Sequence, residues 1–436
     1  MSKNFRGRAA AVLAALLISV ALAPVPYTRA QQGTATGVAP TNAKSAAVVA
    51  ATSEVLKETS EIRELPILRP VKSGAQSRAE IERMIIKNMN EETKPEETRA
   101  SEVALKKLGL VPQDFEFRPF IVKLLTEQVA GYYDPKAQEF YLADWIDLDG
   151  QKPVMAHELT HALQDQHFNL RRFEKWPKGD SDAEMAAHAL IEGDATLAMI
   201  RYVTRDLQRA VAFAKSLGAG DTSSEQIEKA PRAIRESLLF PYEQGSQWVT
   251  TVYKRGGWPL VSKAFTDLPQ STEQILHSDK YFAREAPVKV DLADIHSALG
   301  SGWKRIDYDV NGEWGCYLVL NEYLKTGAAA AAAGWGGDRF AVYEEGKTGQ
   351  VLITQMTVWD TEREAREFFD AYAKRTATRY TGATEVSVTG SDNQAKVWRT
   401  PNDGRVVMEL RGKSVLILEG VPDKADANVL LKKVWG

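Results

Sequence analysis

One cysteine, Cys316, stands in 436 residues, so no internal disulfide can form and a disulfide-framed scaffold is excluded. Charge of one sign is also missing. Against 58 acidic residues there are 55 basic ones, a net charge of −3, and neither sign gathers into a long block. That balance leaves no electrostatic footprint for nucleic acid, which would need a basic patch or a strongly basic domain. No internal repeat is visible, so a solenoid is not indicated. Histidine is scarce as well, six in all, and that scarcity makes its distribution informative.

Three of the six histidines fall between positions 157 and 167. His157-Glu158-Leu159-Thr160-His161 is an H-E-x-x-H string inside an apolar-spaced segment from Val154 to Phe168 that Pro153 precedes. On a helix, residues four apart share a face, so the two imidazoles can reach one tetrahedral zinc. Glu158, one residue after the first ligand, is then placed to accept a proton from a water at the metal. The plainer alternative is an amphipathic helix with histidines and no metal.

A catalytic zinc ordinarily takes a third protein ligand. His167, six residues after His161, has the spacing of the third ligand in H-E-x-x-H-x-x-G-x-x-H, but Gln164 stands where that pattern needs glycine for a helix-ending turn. Glu192 is the other candidate. It lies in a segment from Asp182 to Tyr202 that reads as a second helix, where Glu184, His188 and Glu192 follow each other at four-residue spacing and form one polar stripe. Such a stripe can face a metal or simply face solvent.

Glu127-Gln128-Val129-Ala130-Gly131-Tyr132-Tyr133-Asp134-Pro135, Phe140-Tyr141-Leu142, His157 to Phe168 and Glu192-Gly193-Asp194-Ala195 together resemble a zinc-peptidase-like family of secreted bacterial proteins. The family is similar to the gluzincins, whose third ligand is a glutamate on a helix after the H-E-x-x-H helix. The resemblance spans roughly residues 115 to 280, and its two motifs are specific only in combination. It implies His157, His161 and Glu192 as zinc ligands, Glu158 as general base, and a peptide or protein substrate. The 30 residues between His161 and Glu192 exceed the gap in thermolysin-like enzymes.

Around this core the sequence offers further candidates. Gly131 to Lys136 and Glu139 to Leu142 read as two strands joined by an Asp-Pro turn, and in zincins such an edge strand pairs with extended substrate. Tyr242 is a candidate oxyanion donor, with Pro241 suiting a helix start. His188 and His277 are rival donors, and Asp165 or Asp194 can orient a ligand imidazole. Other readings remain open: a metzincin-like peptidase using His167, a non-catalytic binding protein on the same fold, or a structural zinc closed by a fourth side chain such as His188.

The fold expected is α+β: a mainly helical zincin-like catalytic domain over 61–300 with a small edge sheet, then a C-terminal antiparallel α+β module over 301–436. Ser77-Arg78-Ala79-Glu80 has the form of a capping box. In the module, strands are expected at 340–343, 351–359, 386–389, 395–399, 406–411 and 414–419, with helices from Thr361 to near Thr378 and from Asp423 to Trp435. The module is expected to follow an Ala328–Ala333 and Gly334-Trp335-Gly336-Gly337 junction.

Residues 1–30 read as a secretory signal peptide: Lys3, Arg6 and Arg8, an apolar run from Ala9 to Ala23, and Thr28-Arg29-Ala30 with cleavage near Ala30. Residues 31–60, rich in Ala, Thr and Val, read as a linker or propeptide. The mature chain is then expected to be secreted or periplasmic, without a stable membrane span.

Overall fold

A computed structural model of the chain describes residues 41–145, 148–175, 179–218, 225–386 and 394–436. The expected signal peptide, and residues 31–40 of the expected linker, lie outside the described residues. From Thr41 onward that linker reading is corrected. Thr41–Arg63 is a helix, α1, whose Val48, Ala51, Val55 and Leu56 are buried against Met155, Leu159 and Leu163. Its alanine and threonine content reads as low complexity along the sequence, yet small residues are what allow it to lie close against another helix.

The chain continues through β1 (Lys72–Gln76), α2 (Arg78–Glu92), α3 (Pro95–Leu108) and α4 (Phe117–Gln128) to the hairpin β2 (Gly131–Asp134) and β3 (Glu139–Ala143). The Ser77 and Glu80 capping box forms as expected. At the hairpin tip, Asp134 Oδ1 accepts from the backbone N–H groups of Lys136 and Ala137, which is how an Asp-Pro sequence turns a chain. β3 pairs antiparallel with β2 and parallel with β1, so the small sheet has the order β1-β3-β2.

Three helices carry the centre of the molecule: α5 (Lys152–Phe168), α6 (Ser181–Thr204) and, after α7 (Leu207–Gly218) and α8 (Glu225–Lys229), the long α9 (Arg232–Ala264). α6 is buried on all sides along most of its length, so its polar stripe faces protein and not solvent. α9 is broken at Gly256–Gly257, where Gly257 takes φ +64°, a conformation costly for any residue with a Cβ. Pro241 was expected near a helix start and instead lies inside α9, as its tenth residue. Short helices α10 (Thr272–Leu276), α11 (Ser278–Ala283) and α12 (His296–Leu299) lead out of this part. Among the described residues no helix is long and apolar enough to cross a membrane.

The protein is α+β, and its C-terminal part is built on a seven-stranded antiparallel sheet. The order is β4-β5-β6-β10-β9-β8-β7, from β4 (Trp303–Asp309), β5 (Trp335–Glu345), β6 (Val351–Trp359), β7 (Thr384–Val386), β8 (Ala395–Arg399), β9 (Arg405–Arg411) and β10 (Ser414–Val421). β4 precedes the expected Ala328–Gly337 junction, which is an internal connection of the module. β10 shows why the sheet is buried on both faces: Val415 and Ile417 enter one core, while Leu416 and Leu418, pointing the other way, enter another. α13 (Gly312–Asn321), α14 (Ala328–Ala332) and α15 (Glu362–Arg379) cover the first face, and α16 (Ala427–Trp435) covers the second. The part of the expected 386–389 strand beyond Val386 lies outside the described residues.

A buried carboxylate joins the module to the start of α6: Asp309 on β4 accepts from Ser181 N and Oγ. Asp182 beside it accepts from Thr272 N and Oγ1 of α10, and within the module Asp338 on β5 accepts from Asn311 N, Gly312 N and Trp335 Nε1. The helix that carries Glu192 is thus fastened at its first turn by the sheet.

Candidate metal centre

α5 presents His157 and His161 on one face, and α6 crosses it so that Glu192 meets both. The Nε2 atoms of the two histidines lie 3.1 Å apart; Glu192 Oε2 is 3.1 Å from His157 Nε2 and 3.5 Å from His161 Nε2. A tetrahedral zinc with bonds of about 2.0–2.1 Å spaces its ligand atoms by about 3.3 Å. The triangle has that size. All three residues are buried, and Glu192 keeps one oxygen, Oε1, without a hydrogen-bond partner. Imidazole and carboxylate donors in a set of three suit a catalytic zinc with one position open.

The electrostatics of the site express the same crowding. Burial alone would raise the Glu192 carboxyl, but the imidazoles of His161 and His157 outweigh it and bring it down to about 2. At His161 burial acts against the imidazolium, and the carboxylates of Glu192 and Glu158 with the Gln164 amide overcome it, lifting the group to about 9. His157 is lowered, chiefly by burial.

Glu158 sits beside the triangle. One of its oxygens lies within 4.8 Å of both histidine ligand atoms, while Oε2 accepts the backbone N–H of Tyr133 at 2.8 Å. That bond is possible because β2 has a strand partner on one side only. Ala143 N donates to Ala130 O, and strand alternation then turns the backbone groups of Gly131 and Tyr133 away from β3. Tyr242, half-buried on α9, lays its ring against His157 with centroids 6.0 Å apart and planes 27° apart.

Sequence reading missed Gln164. Its Oε1 is 2.8 Å from His161 Nδ1, and its Nε2 donates to Ile191 O and Asp194 Oδ2. An N–H on Nδ1 donating to Gln164 leaves Nε2 as the lone-pair nitrogen facing the triangle. The three-residue spacing from His161 was the available signal. Asp194 in turn receives the Arg63 guanidinium at 2.5 Å, both side chains fully buried. Arg63 also donates to Ser262 Oγ and stacks over Trp258. A chain of contacts therefore runs from α1 to a candidate ligand.

Other candidates fall elsewhere. His167 is on α5 but 600° of helical rotation past His161, so it faces away, and its Nε2 pairs with Pro66 O at 2.7 Å. The turn ending α5 comes at Asn169, past both Gln164 and His167. His277 pairs with Glu313 on α13, and that bond raises its pKa, so it serves the junction with the module. Asp165 accepts from Tyr133 Oη, Arg69 and Leu170 N, and makes no contact of its own with an imidazole ligand. His188 is buried beside Glu192, and burial lowers it to about 4.

Residues 299–431 match a domain of unknown function, DUF8575. The match covers the C-terminal sheet and its helices and stops short of every residue of the triangle. No curated protein and no solved structure matches the chain.

Proposed function

We propose that this chain is an extracytoplasmic zinc-dependent peptidase of gluzincin type, with His157, His161 and Glu192 holding the metal and Glu158 as general base. The observation that carries the reading is the triangle of Nε2, Nε2 and Oε2 atoms at 3.1, 3.1 and 3.5 Å with a second carboxylate beside it. A binding site or a structural zinc has no use for that second carboxylate. When bound, zinc supplies Lewis acidity that polarises a carbonyl and lowers the pKa of water.

The side chains account for the rest. Glu158, held at Oε2 by Tyr133 N–H, accepts the proton of the attacking water and returns it to the leaving amine. Gln164 keeps the His161 ring in one tautomer and one orientation. An extended peptide beside β2 would meet the outward backbone groups of Gly131 and the carbonyl of Tyr133, whose N–H is held by Glu158. Tyr242, against His157, is the hydroxyl nearest in kind to what an oxyanion needs. The assignment to the outside of the cytoplasm rests on residues 1–30.

Cleavage of a diverse peptide library by the zinc-loaded protein, run beside Glu158→Gln, tests this. Products from the wild type alone, abolished by a chelator, are expected, with zinc retained in both proteins. A folded, zinc-bound wild type that yields no products would instead favour the binding-protein reading.

A further inference from the structure

Two residues at the site carry buried polar atoms that meet no partner, and both lie on α6. Glu192 directs Oε2 at the imidazole nitrogens and leaves Oε1 unpartnered; one helical turn earlier, His188 is 1% exposed with neither Nδ1 nor Nε2 hydrogen-bonded. Orphaned polar atoms are rare in protein interiors because each forfeits its hydration without replacement, and three within one turn of one helix call for a common explanation.

Helix geometry supplies it. Residues i and i+4 stand one above the other, and Cα–Cβ bonds lean toward the N-terminus, so the Glu192 side chain leans over the turn that bears His188. The charged group that His188 senses most strongly is the Glu192 carboxylate, followed by His161. On the neighbouring face of α6, α9 packs so tightly that a Cβ on Gly245 would lie 2.2 Å from Ala189 O.

We propose that His188 is a positioning residue that donates a ring N–H to Glu192 Oε1 across one water, and so keeps Glu192 a one-oxygen ligand. The inference rests on the zinc reading of the triangle. A carboxylate can bind a metal through one oxygen or two, and a second oxygen from Glu192 would take the place that water or substrate needs. Holding Oε1 on His188 prevents that. It also explains why a neutral, apolar-looking stretch such as Ala186-Ala187-His188-Ala189-Leu190 carries one imidazole facing inward.

The test is the visible absorption of the cobalt-substituted full chain, which reports coordination number, together with zinc affinity by chelator competition. His188→Phe removes the donor and fills the space; His188→Leu replaces it if the phenylalanine variant does not fold; His188→Gln restores a donor. Wild type should show the intense bands of four-coordinate cobalt. The Phe or Leu variant should show weaker, higher-coordinate bands and bind zinc about 10- to 100-fold less tightly, and Gln should recover much of both. A native-folded Phe or Leu variant with wild-type bands and affinity would overturn the proposal and leave His188 as packing. Unchanged wild-type bands on adding a zinc-binding inhibitor would overturn it differently, by making His188 a fourth ligand. If wild type binds neither cobalt nor zinc, the zinc reading itself fails, and the proposal with it.

Discussion

The backbones of Gly193 and Gly245 touch: a Cβ on Gly193 would lie 2.3 Å from the carbonyl carbon and oxygen of Gly245. This contact lets α9 approach α6 closely enough for Tyr242, three residues before Gly245, to reach the ring of His157. Gly193 follows Glu192 directly, so helix packing and the candidate ligand are set at neighbouring positions. Gly193→Ala should push the helices apart at a cost of at least ~1–3 kcal/mol. Denaturant unfolding measures that cost. Zinc content should fall less than peptide turnover, because the histidines are on α5 and only Glu192 and Tyr242 sit on the displaced helices.

Glu192→Ala and His167→Ala separate the two candidates for the third ligand. The first should weaken zinc binding on the order of 10²-fold or more, beyond the 10- to 100-fold typical of outer contacts. The second should leave affinity unchanged, since His167 contacts Pro66 O on the far side of α5. Chelator competition on both proteins decides it, and the reverse pattern would restore the metzincin-like arrangement.

Gln164→Leu removes the acceptor at His161 Nδ1 and the donor to Asp194. Zinc affinity should drop by about 10- to 100-fold with the fold retained. Arg63→Met acts one step further out. It strands Asp194 as a buried charge, and breaking a buried pair on one side costs ~3–5 kcal/mol. Thermal unfolding of the two variants should therefore rank Arg63→Met as the less stable, and Gln164→Leu as the more specific lesion to metal binding.

The junction with the C-terminal module should respond to pH. Burial pushes Asp309 up to about 6 against the opposing bonds from Ser181 and Val310, and Asp338 up to about 7. A carboxyl whose folded pKa is raised favours the folded state while protonated. Its contribution is complete below the unfolded value near 4 and is lost as pH climbs through 6 to 7. Asp309→Asn keeps an acceptor toward the two backbone N–H groups and a polar partner for Ser181 Oγ but cannot ionise. The wild type should lose stability relative to this variant between pH 4 and 7, as measured by unfolding midpoints; parallel pH profiles would refute the assignment.

Much of the candidate site could be read from the sequence because it is local. His157, Glu158 and His161 are placed by a single helix, and helical periodicity alone brings them together. Glu192 required knowing that a polar stripe faced inward, which α6 shows and its composition does not. What escaped was set by distant partners. Lys72–Gln76 has no β-branched residue and becomes a strand only by pairing with β3. Trp303–Asp309 mixes charges into its alternation because Asp307 and Asp309 are buried polar groups. Thr41–Arg63 has no aromatic residue, and its place is fixed by α5 and by an ion pair with Asp194. Pro241 suggested a helix start, yet α9 continues through it, with Ile234 and Leu238 buried in the core of α4 before it and Trp248, Val249 and Val252 buried in the core of α6 after it.

The pairing of Arg63 with Asp194 also sets an order in time. The two are separated by 131 residues, and Ser262, the other partner of Arg63, comes 199 residues after it. At synthesis rates of 5–20 residues per second, roughly 7 to 26 s pass between the emergence of Arg63 and that of Asp194. Only for the last ~1 to 5 s of that interval is the H-E-x-x-H helix already made while Asp194, which holds Gln164 and through it His161, is not. An ion taken up by the growing chain would find two loosely held imidazoles, whereas one taken up after release meets a finished cage. On the zinc reading, metal loading is then expected of the completed protein.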